Sequence, residues 1–262
     1  MPYENLIYEK QEPVAIITLN RPHRLNALSA GLHRDLYNAI TEVSNDPSIK
    51  ALIITGGDKC FCAGADIKET SSGEGRSEPA APMRISRAGD PFTRIEHMDI
   101  PTVAAIAGVC VGGGLELALV CDLRISSSDA RFGLPEVNIG IIPSGGGTQR
   151  LPRLIGATRA KDLMYTGRLI GPEEAERIGI INRVVPHESF MDEAKKLALD
   201  LAEKPPLAVR MIKSCVNVGS QMNLRDALEY ETRCSAIVAQ SEDMKEGFRA
   251  FVEKRKPVYK GR

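Results

Sequence analysis

The run Ile106-Ala107-Gly108-Val109-Cys110-Val111-Gly112-Gly113-Gly114-Leu115-Glu116-Leu117-Ala118-Leu119-Val120 constrains this chain more than any other. Pro101 to Ile106 is short and apolar, which predicts a buried strand. Leu115 to Val120 is apolar except for Glu116 and predicts a buried helix. Three consecutive glycines between such elements mark a strand-to-helix turn where the backbone comes close to something else. The first N–H groups of a helix have no partner inside it, and the helix dipole adds partial positive charge there. An oxygen that becomes anionic during a reaction is stabilised at such a place. Glu116 falls in the first turns of this helix among apolar neighbours. Burial disfavours the charged form of such a carboxyl and suits it to proton transfer near neutral pH. The same residues also have a structural reading, as close-packing glycines and a dipole-paired glutamate.

Strand and helix signals alternate on both sides of this turn. Val14–Leu19 is β-branched and apolar and predicts a strand, ended by Asn20-Arg21-Pro22. Ser29 caps a predicted helix over Gly31–Ser44, with Leu32, Leu36, Ala39, Ile40 and Val43 on one stripe. Ala51–Thr55, Leu123–Ser127 and Asn182–Pro186 read as further strands. Pro91–Met98 reads as helix, another helix starts in Ser144-Gly145-Gly146-Gly147-Thr148, and Pro172 stands near the start of a third. This pattern predicts an α/β fold with helices against parallel strands. From Ser189 onward strand signals vanish. Helices are predicted at 189–203, 206–219, 223–239 and 241–254, with breaks at Pro205 and Gly219. The chain therefore divides into a core, 1–188, and a helical region, 189–262. The stripes Leu197, Leu201 and Leu228, Ile237 of that region require cover from the core or from another subunit. The Ser-, Gly-, Glu- and Pro-rich segment 70–82 reads as a mobile loop.

Bulk properties exclude several classes. Acidic and basic side chains balance at 34 each, so nothing in the net charge suggests nucleic acid or an anionic membrane as partner. The apolar runs are interrupted by Gly, Glu or Asp within a membrane-span length. Met1 to Leu6 lacks a basic start and an apolar core, which makes cytoplasm the expected location, or the mitochondrial matrix for a processed chain. The six cysteines read as buried reduced thiols, and Cys60 and Cys62 have no second Cys/His pair at zinc spacing, so no metal site is expected.

Several segments, in order and at consistent spacing, closely resemble the enoyl-CoA hydratase/isomerase (crotonase) superfamily. They are Asn20-Arg21-Pro22 with Asn26-Ala27-Leu28, Phe61-Cys62-Ala63-Gly64-Ala65-Asp66-Ile67-Lys68, and Gly112-Gly113-Gly114-Leu115-Glu116-Leu117-Ala118. Phe132-Gly133-Leu134-Pro135-Glu136, Gly145-Gly146-Gly147-Thr148-Gln149-Arg150-Leu151 and Glu246-Gly247…Phe251…Glu253-Lys254-Arg255 continue the series. The resemblance covers nearly the whole chain. It implies a crotonase-like spiral of ββα units followed by a C-terminal α-helical trimerisation region, assembled as a trimer or a dimer of trimers.

The resemblance also implies a chemistry. The backbone N–H groups of Ala65 and Gly113 would hold a thioester oxygen, and preorganised donors of this kind stabilise an enolate by about 3–4 kcal/mol each. Hydratases of the family carry two glutamates, which correspond to Glu116 and Glu136. Glu116 would deprotonate the water that attacks C3 of a 2-enoyl thioester, and Glu136 would exchange the proton at C2. The sequence leaves the reverse assignment of acid and base open. Coenzyme A contacts fall on Ala63, Ala65, Asp66, Ile67 and Lys68, with Arg24 near a phosphate. Phe251 and Lys254, from a neighbouring subunit, would close over the adenine. Coenzyme A enters as part of the substrate, and no separate cofactor is implied. Ser144 replaces a glycine common in close relatives and bears on the shape of the acyl pocket. Asp66 has a second reading as a helix cap.

Three readings follow. The first is a hydro-lyase that forms 3-hydroxyacyl-CoA by syn addition of water to a 2-enoyl-CoA. The second keeps the fold but changes the chemistry, to a branched or cyclic dienoyl-CoA substrate or to Δ3-Δ2 isomerisation. The third is an RNA-binding protein, suggested only by the basic end Glu253–Arg262 and opposed by the neutral whole.

Overall fold

A computed structural model describes residues 3–72 and 90–262. Most of the segment read as a mobile loop, 70–82, lies outside the described residues. The chain opens on an antiparallel hairpin of β1 (Leu6–Gln11) and β2 (Val14–Leu19). Helix α1 (Ala30–Asn45) returns it to β3 (Ala51–Thr55), parallel to β2. Ser29 is the N-cap of α1, its hydroxyl accepting the Leu32 N–H at 3.1 Å. The five residues that α1 buries are those of the stripe Leu32, Leu36, Ala39, Ile40 and Val43.

From β3 to β8 each turn of the chain lays one strand in each of two sheets. β4 (Cys60–Cys62) follows β3, and α2 (Ile67–Ser72) and α3 (Pro91–Glu96) lead to β5 (Thr102–Ile106). β6 (Val109–Val111) and α4 (Gly113–Leu119) follow, then β7 (Leu123–Ser127) and β8 (Arg131–Gly133). Helices α5 (Gly147–Ile155), α6 (Ala157–Thr166) and α7 (Pro172–Ile178) precede β9 (Arg183–Val185). The large sheet runs β1-β2-β3-β5-β7-β9 and is parallel from β2 on. The small sheet runs β4-β6-β8 and is parallel throughout. Repetition of strand, strand and helix gives a spiral, and it brings the ends of β4, β6 and β8 to one place.

The central strands β2, β3, β5 and β7 of the large sheet are buried on both faces, as parallel strands require. Ile17, Leu52, Ile54, Ala104 and Ile106 face one core together with α1 and α4. Their neighbours Ile16, Ala51, Ile53, Val103 and Ala105 face a second core. Helix α8 (Phe190–Ala202) covers that second face with Phe190, Ala194, Ala198 and Ala202, four apart on one stripe, and the three alanines let the helix approach closely. Beyond it, α9 (Pro206–Gly219), α10 (Leu224–Ala239) and α11 (Glu242–Glu253) form the helical end. Along α9 and α10, Ile212, Val216, Leu224, Leu228 and Ile237 are exposed. The basic end of the chain is docked rather than free. Arg255 pairs with Glu246 and Glu253, Lys256 with Glu203, and Arg262 with Glu242.

Asn26 wires the entrance of the small sheet. It sits in the left-handed region at φ 55° and is buried. Its Nδ2 donates to the carbonyls of Cys60 at 2.8 Å and Gly56 at 3.0 Å, and its Oδ1 accepts the Arg21 N–H at 2.9 Å. Asn26→Ala orphans these groups and places a Cβ residue without a local hydrogen bond at positive φ. It is expected to cost about 3 kcal/mol, read as a fall of several degrees in thermal midpoint. An unchanged midpoint would refute this role.

Candidate active site

The glycine turn determines where Glu116 goes. Gly112 caps α4 at φ 56°, and its carbonyl accepts the Glu116 N–H at 3.0 Å, so Glu116 lies one turn into the helix. Its side chain is buried, and Oε1 accepts the Gly147 N–H at 2.7 Å. Gly147 is the first residue of α5, so the carboxylate meets an open helix N-terminus. The segment before α5 lies directly on the carboxylate. A Cβ at Gly145 would run into Glu116 Oε2, and one at Gly147 would stand 3.0 Å from Oε1. Glycine is what permits this approach.

Glu136 arrives from the opposite side, in a 3₁₀ turn over Pro135–Ile139 that follows β8. A Cβ at Gly112 would stand 3.2 Å from Glu136 Oε1, which places this carboxyl over the start of α4. Its Oε2 is buried and accepts no hydrogen bond from the described residues. Burial pushes the Glu136 pKa up to about 7. The charge of Glu116 adds to the rise, and a backbone hydrogen bond offsets part of it. The two carboxyls are therefore electrostatically coupled, which suits a pair that holds one proton between them.

The shift has a consequence for stability. Folded Glu136 stays protonated between its ordinary 4.5 and about 7, where the unfolded chain has lost that proton. The folded state binds more protons in that window, so this group weakens the fold as pH rises through it. Glu136→Gln removes the effect. Its thermal midpoint is expected to match wild type near pH 4.5, to rise relative to it up to about pH 7, and to keep a constant lead above. A gap that does not widen with pH would refute the burial of this carboxyl.

The third component is backbone. Leu28 bridges to Ala65, with the Leu28 N–H donating to the Gly64 carbonyl at 2.8 Å and the Asp66 N–H to the Leu28 carbonyl at 3.0 Å. Those bonds fix the peptides on either side of Ala65. Gly64 has φ 94°, and a Cβ there would lie 3.3 Å from the Gly113 nitrogen. A Cβ at Gly113 would lie 3.6 Å from the Ala65 nitrogen. The two N–H groups singled out in the sequence are thus neighbours, beside the carboxyl pair.

The remaining singled-out residues divide into two groups. Ala63 and Asp66 lead into α2, Ile67 and Lys68 open it, and Arg24 is exposed at the end of a 3₁₀ turn over Pro22–Arg24. The Ala63 N–H donates to the Leu25 carbonyl at 3.0 Å. Asp66 serves as the cap of α2, accepting the Glu69 N–H, and pairs with Arg21 at 3.0 Å. Ser144 is exposed just before α5, next to the residues that cover Glu116. Phe251 and Lys254 stand on α11 and just after it, and Phe251 is 84% exposed, among Pro205, Ala208 and Tyr259. Among the described residues no bond or ion pair joins those two to the carboxyl site. Sequence reading missed Gly147 as the donor to Glu116 and Asn26 as the tie to β4. Both lie in quoted motifs, but nothing in a motif says which glycine N–H meets which side chain.

The chain is similar to known proteins over nearly its whole length. The enoyl-CoA hydratase/isomerase family pattern matches residues 9–262. The crotonyl-CoA hydratase of Syntrophomonas wolfei subsp. wolfei is 45% identical over 260 residues, covering 98% of each chain. The short-chain-enoyl-CoA hydratase of Clostridium acetobutylicum is 42% identical, covering 98% of this chain and 97% of that protein. The crystal structure of enoyl-CoA hydratase from Bacillus anthracis superposes with a TM-score of 0.88 at 38% identity, covering 99% of this chain and 100% of that one.

Proposed function

This chain belongs to the enoyl-CoA hydratase/isomerase family and is a hydro-lyase, an enoyl-CoA hydratase, and we propose that Glu116 and Glu136 add water across the 2,3 double bond of a 2-enoyl-CoA. Glu116 takes a proton from the water as its oxygen bonds to C3. Glu136 delivers its proton to C2. Negative charge that gathers on the thioester oxygen between these events rests on the N–H groups of Ala65 and Gly113. The product is a 3-hydroxyacyl-CoA, and no proton is gained or lost overall. The observation that carries this assignment is Glu136 Oε2, buried without a hydrogen bond from the described residues on a carboxyl whose pKa burial raises to about 7. Such a group is neutral in part at working pH and can act as the acid, while Glu116, held by the Gly147 N–H, acts as the base.

Coenzyme A is a portion of the substrate in this scheme. Arg24 and Lys68 supply positive charge for its phosphates, Ala63, Asp66 and Ile67 line the pantetheine and adenine side, and Ser144 shapes the acyl pocket. The exposed apolar residues of α9 and α10 support a trimer or a dimer of trimers, in which Phe251 and Lys254 of one copy close over the adenine held by the next. No helix among the described residues is long and apolar enough to cross a membrane. All six cysteines are free thiols, which supports a reducing compartment such as the cytoplasm.

The test is loss of absorbance of the conjugated enoyl thioester, scanned over crotonyl-CoA, longer 2-enoyl-CoAs, 3-methylglutaconyl-CoA and a cyclic dienoyl-CoA. Turnover of crotonyl-CoA is expected. Silence on every substrate would overturn the proposal.

A further inference from the structure

The segment that covers Glu116 contains Gly145, Gly146 and Gly147, and three glycines in series have no stiffness of their own. Something else must hold them. Arg150, from the first turn of α5, reaches back and donates through Nη1 to the Gly145 carbonyl at 3.1 Å. Its guanidinium fills the space over Gly146, where any Cβ would collide with it. The guanidinium is itself clamped by Glu96, the last residue of α3, with Nε to Oε1 at 3.0 Å and Nη2 to Oε2 at 2.6 Å. Both side chains are mostly buried, at 19% and 31% exposure. Asn217 of α9 donates to the Glu96 carbonyl at 3.0 Å and fixes the end of α3 in turn. Arg150 also lies close enough to Glu116 to feel its charge.

We infer that Glu96 and Arg150 are positioning residues for Glu116, acting through Gly145 and the Gly147 N–H. The inference rests on the assignment of Glu116 as the base. The clamp has two effects. A bidentate carboxylate–guanidinium pair fixes orientation as well as distance, so the Gly145 peptide and the Gly147 N–H keep one place. Glu96 also neutralises Arg150. Without that neutralisation the guanidinium is free to turn toward Glu116, and an ion pair there would remove the carboxylate from its water. A displacement of about 1 Å in a reacting group costs about 10² in rate.

The experiment compares Glu96→Gln, Glu96→Asp, Arg150→Lys and the double variant Glu96→Gln/Arg150→Lys with wild type and Glu116→Gln, using crotonyl-CoA. Glu96→Gln and Arg150→Lys are expected to lower kcat at least tenfold, with KM within about threefold. Glu96→Asp keeps the charge and is expected to recover part of the loss. The double variant is expected to be no slower than its slower parent, because both changes break one unit. Thermal midpoints measured alongside separate unfolding from misplacement. Wild-type-like kcat in Glu96→Gln, or a loss carried equally by KM and stability with no recovery in Glu96→Asp, overturns the inference. If Glu116→Gln itself retains full activity, the assignment of the base has failed instead.

Discussion

Replacing Glu116 by glutamine is expected to lower kcat for crotonyl-CoA hydration by about 10²–10⁴ while KM changes by no more than about threefold. Glutamine has the same shape, and its side-chain oxygen can still accept the Gly147 N–H that Glu116 accepts at 2.7 Å. The substitution therefore removes basicity and little else. Glu136→Gln is expected to cost a comparable factor, because an amide has no proton to give C2. Steady-state rates in both directions give a further check. Hydration consumes no net proton, so the two values of kcat/KM must fall on one pH profile, with the descending limb at or above about pH 7 in wild type. That limb is expected to be absent from the residual activity of Glu136→Gln. Near-wild-type rates in either variant would remove the carboxyl pair from the mechanism.

The second large effect concerns a donor that no side-chain deletion can reach. Gly113→Pro removes the N–H that faces Ala65 without forbidding the helix. Position 113 is the first residue of α4, where proline is tolerated because that N–H has no partner within the helix. The new ring carbon would meet Leu28 Cδ1, the far end of a flexible side chain, at 2.8 Å. Gly113→Ala introduces the same Cβ and keeps the N–H, so it measures the cost of that Cβ against Leu28. Gly113→Pro is expected to lose about 10²–10³ in kcat beyond Gly113→Ala, as loss of one oxyanion donor does elsewhere. Equal rates in the two variants would show that this N–H carries no developing charge.

Sequence patterns revealed those features whose cause is local. The stripe of α1, its Ser29 cap and the breaks at Pro205 and Gly219 depend on residues within one element, and the structure reproduces them. A chain-wide resemblance supplied Glu116, Glu136 and the N–H groups of Ala65 and Gly113 as candidates, and the fold brings these four positions together. What could not be read has a common origin. β4, β6 and β8 are three residues each, too short to show a period. β1 buries only Leu6 of six residues and reads as polar chain. Helix α6 buries only Ala160 and Leu163 and gives a weak stripe. The clamp of Glu96 on Arg150 joins α3 to α5, and the donor to Glu116 is a glycine N–H, which no side-chain pattern marks. Leu228 and Ile237 were read as needing cover, and both are exposed on α10 of the single chain.

The placement of α8 bears on how the protein comes off the ribosome. Val14, Ile16, Ala51, Ile53, Val103, Ala105 and Ile125 form one apolar face of the large sheet, and its cover is Phe190 to Ala202. The strands that supply most of the face, β2, β3, β5 and β7, are all made well before the helix that shields it. At roughly 5–20 residues per second the nascent sheet spends several seconds with that face bare. The last piece of this core to be made is therefore a helix that lies outside the spiral itself.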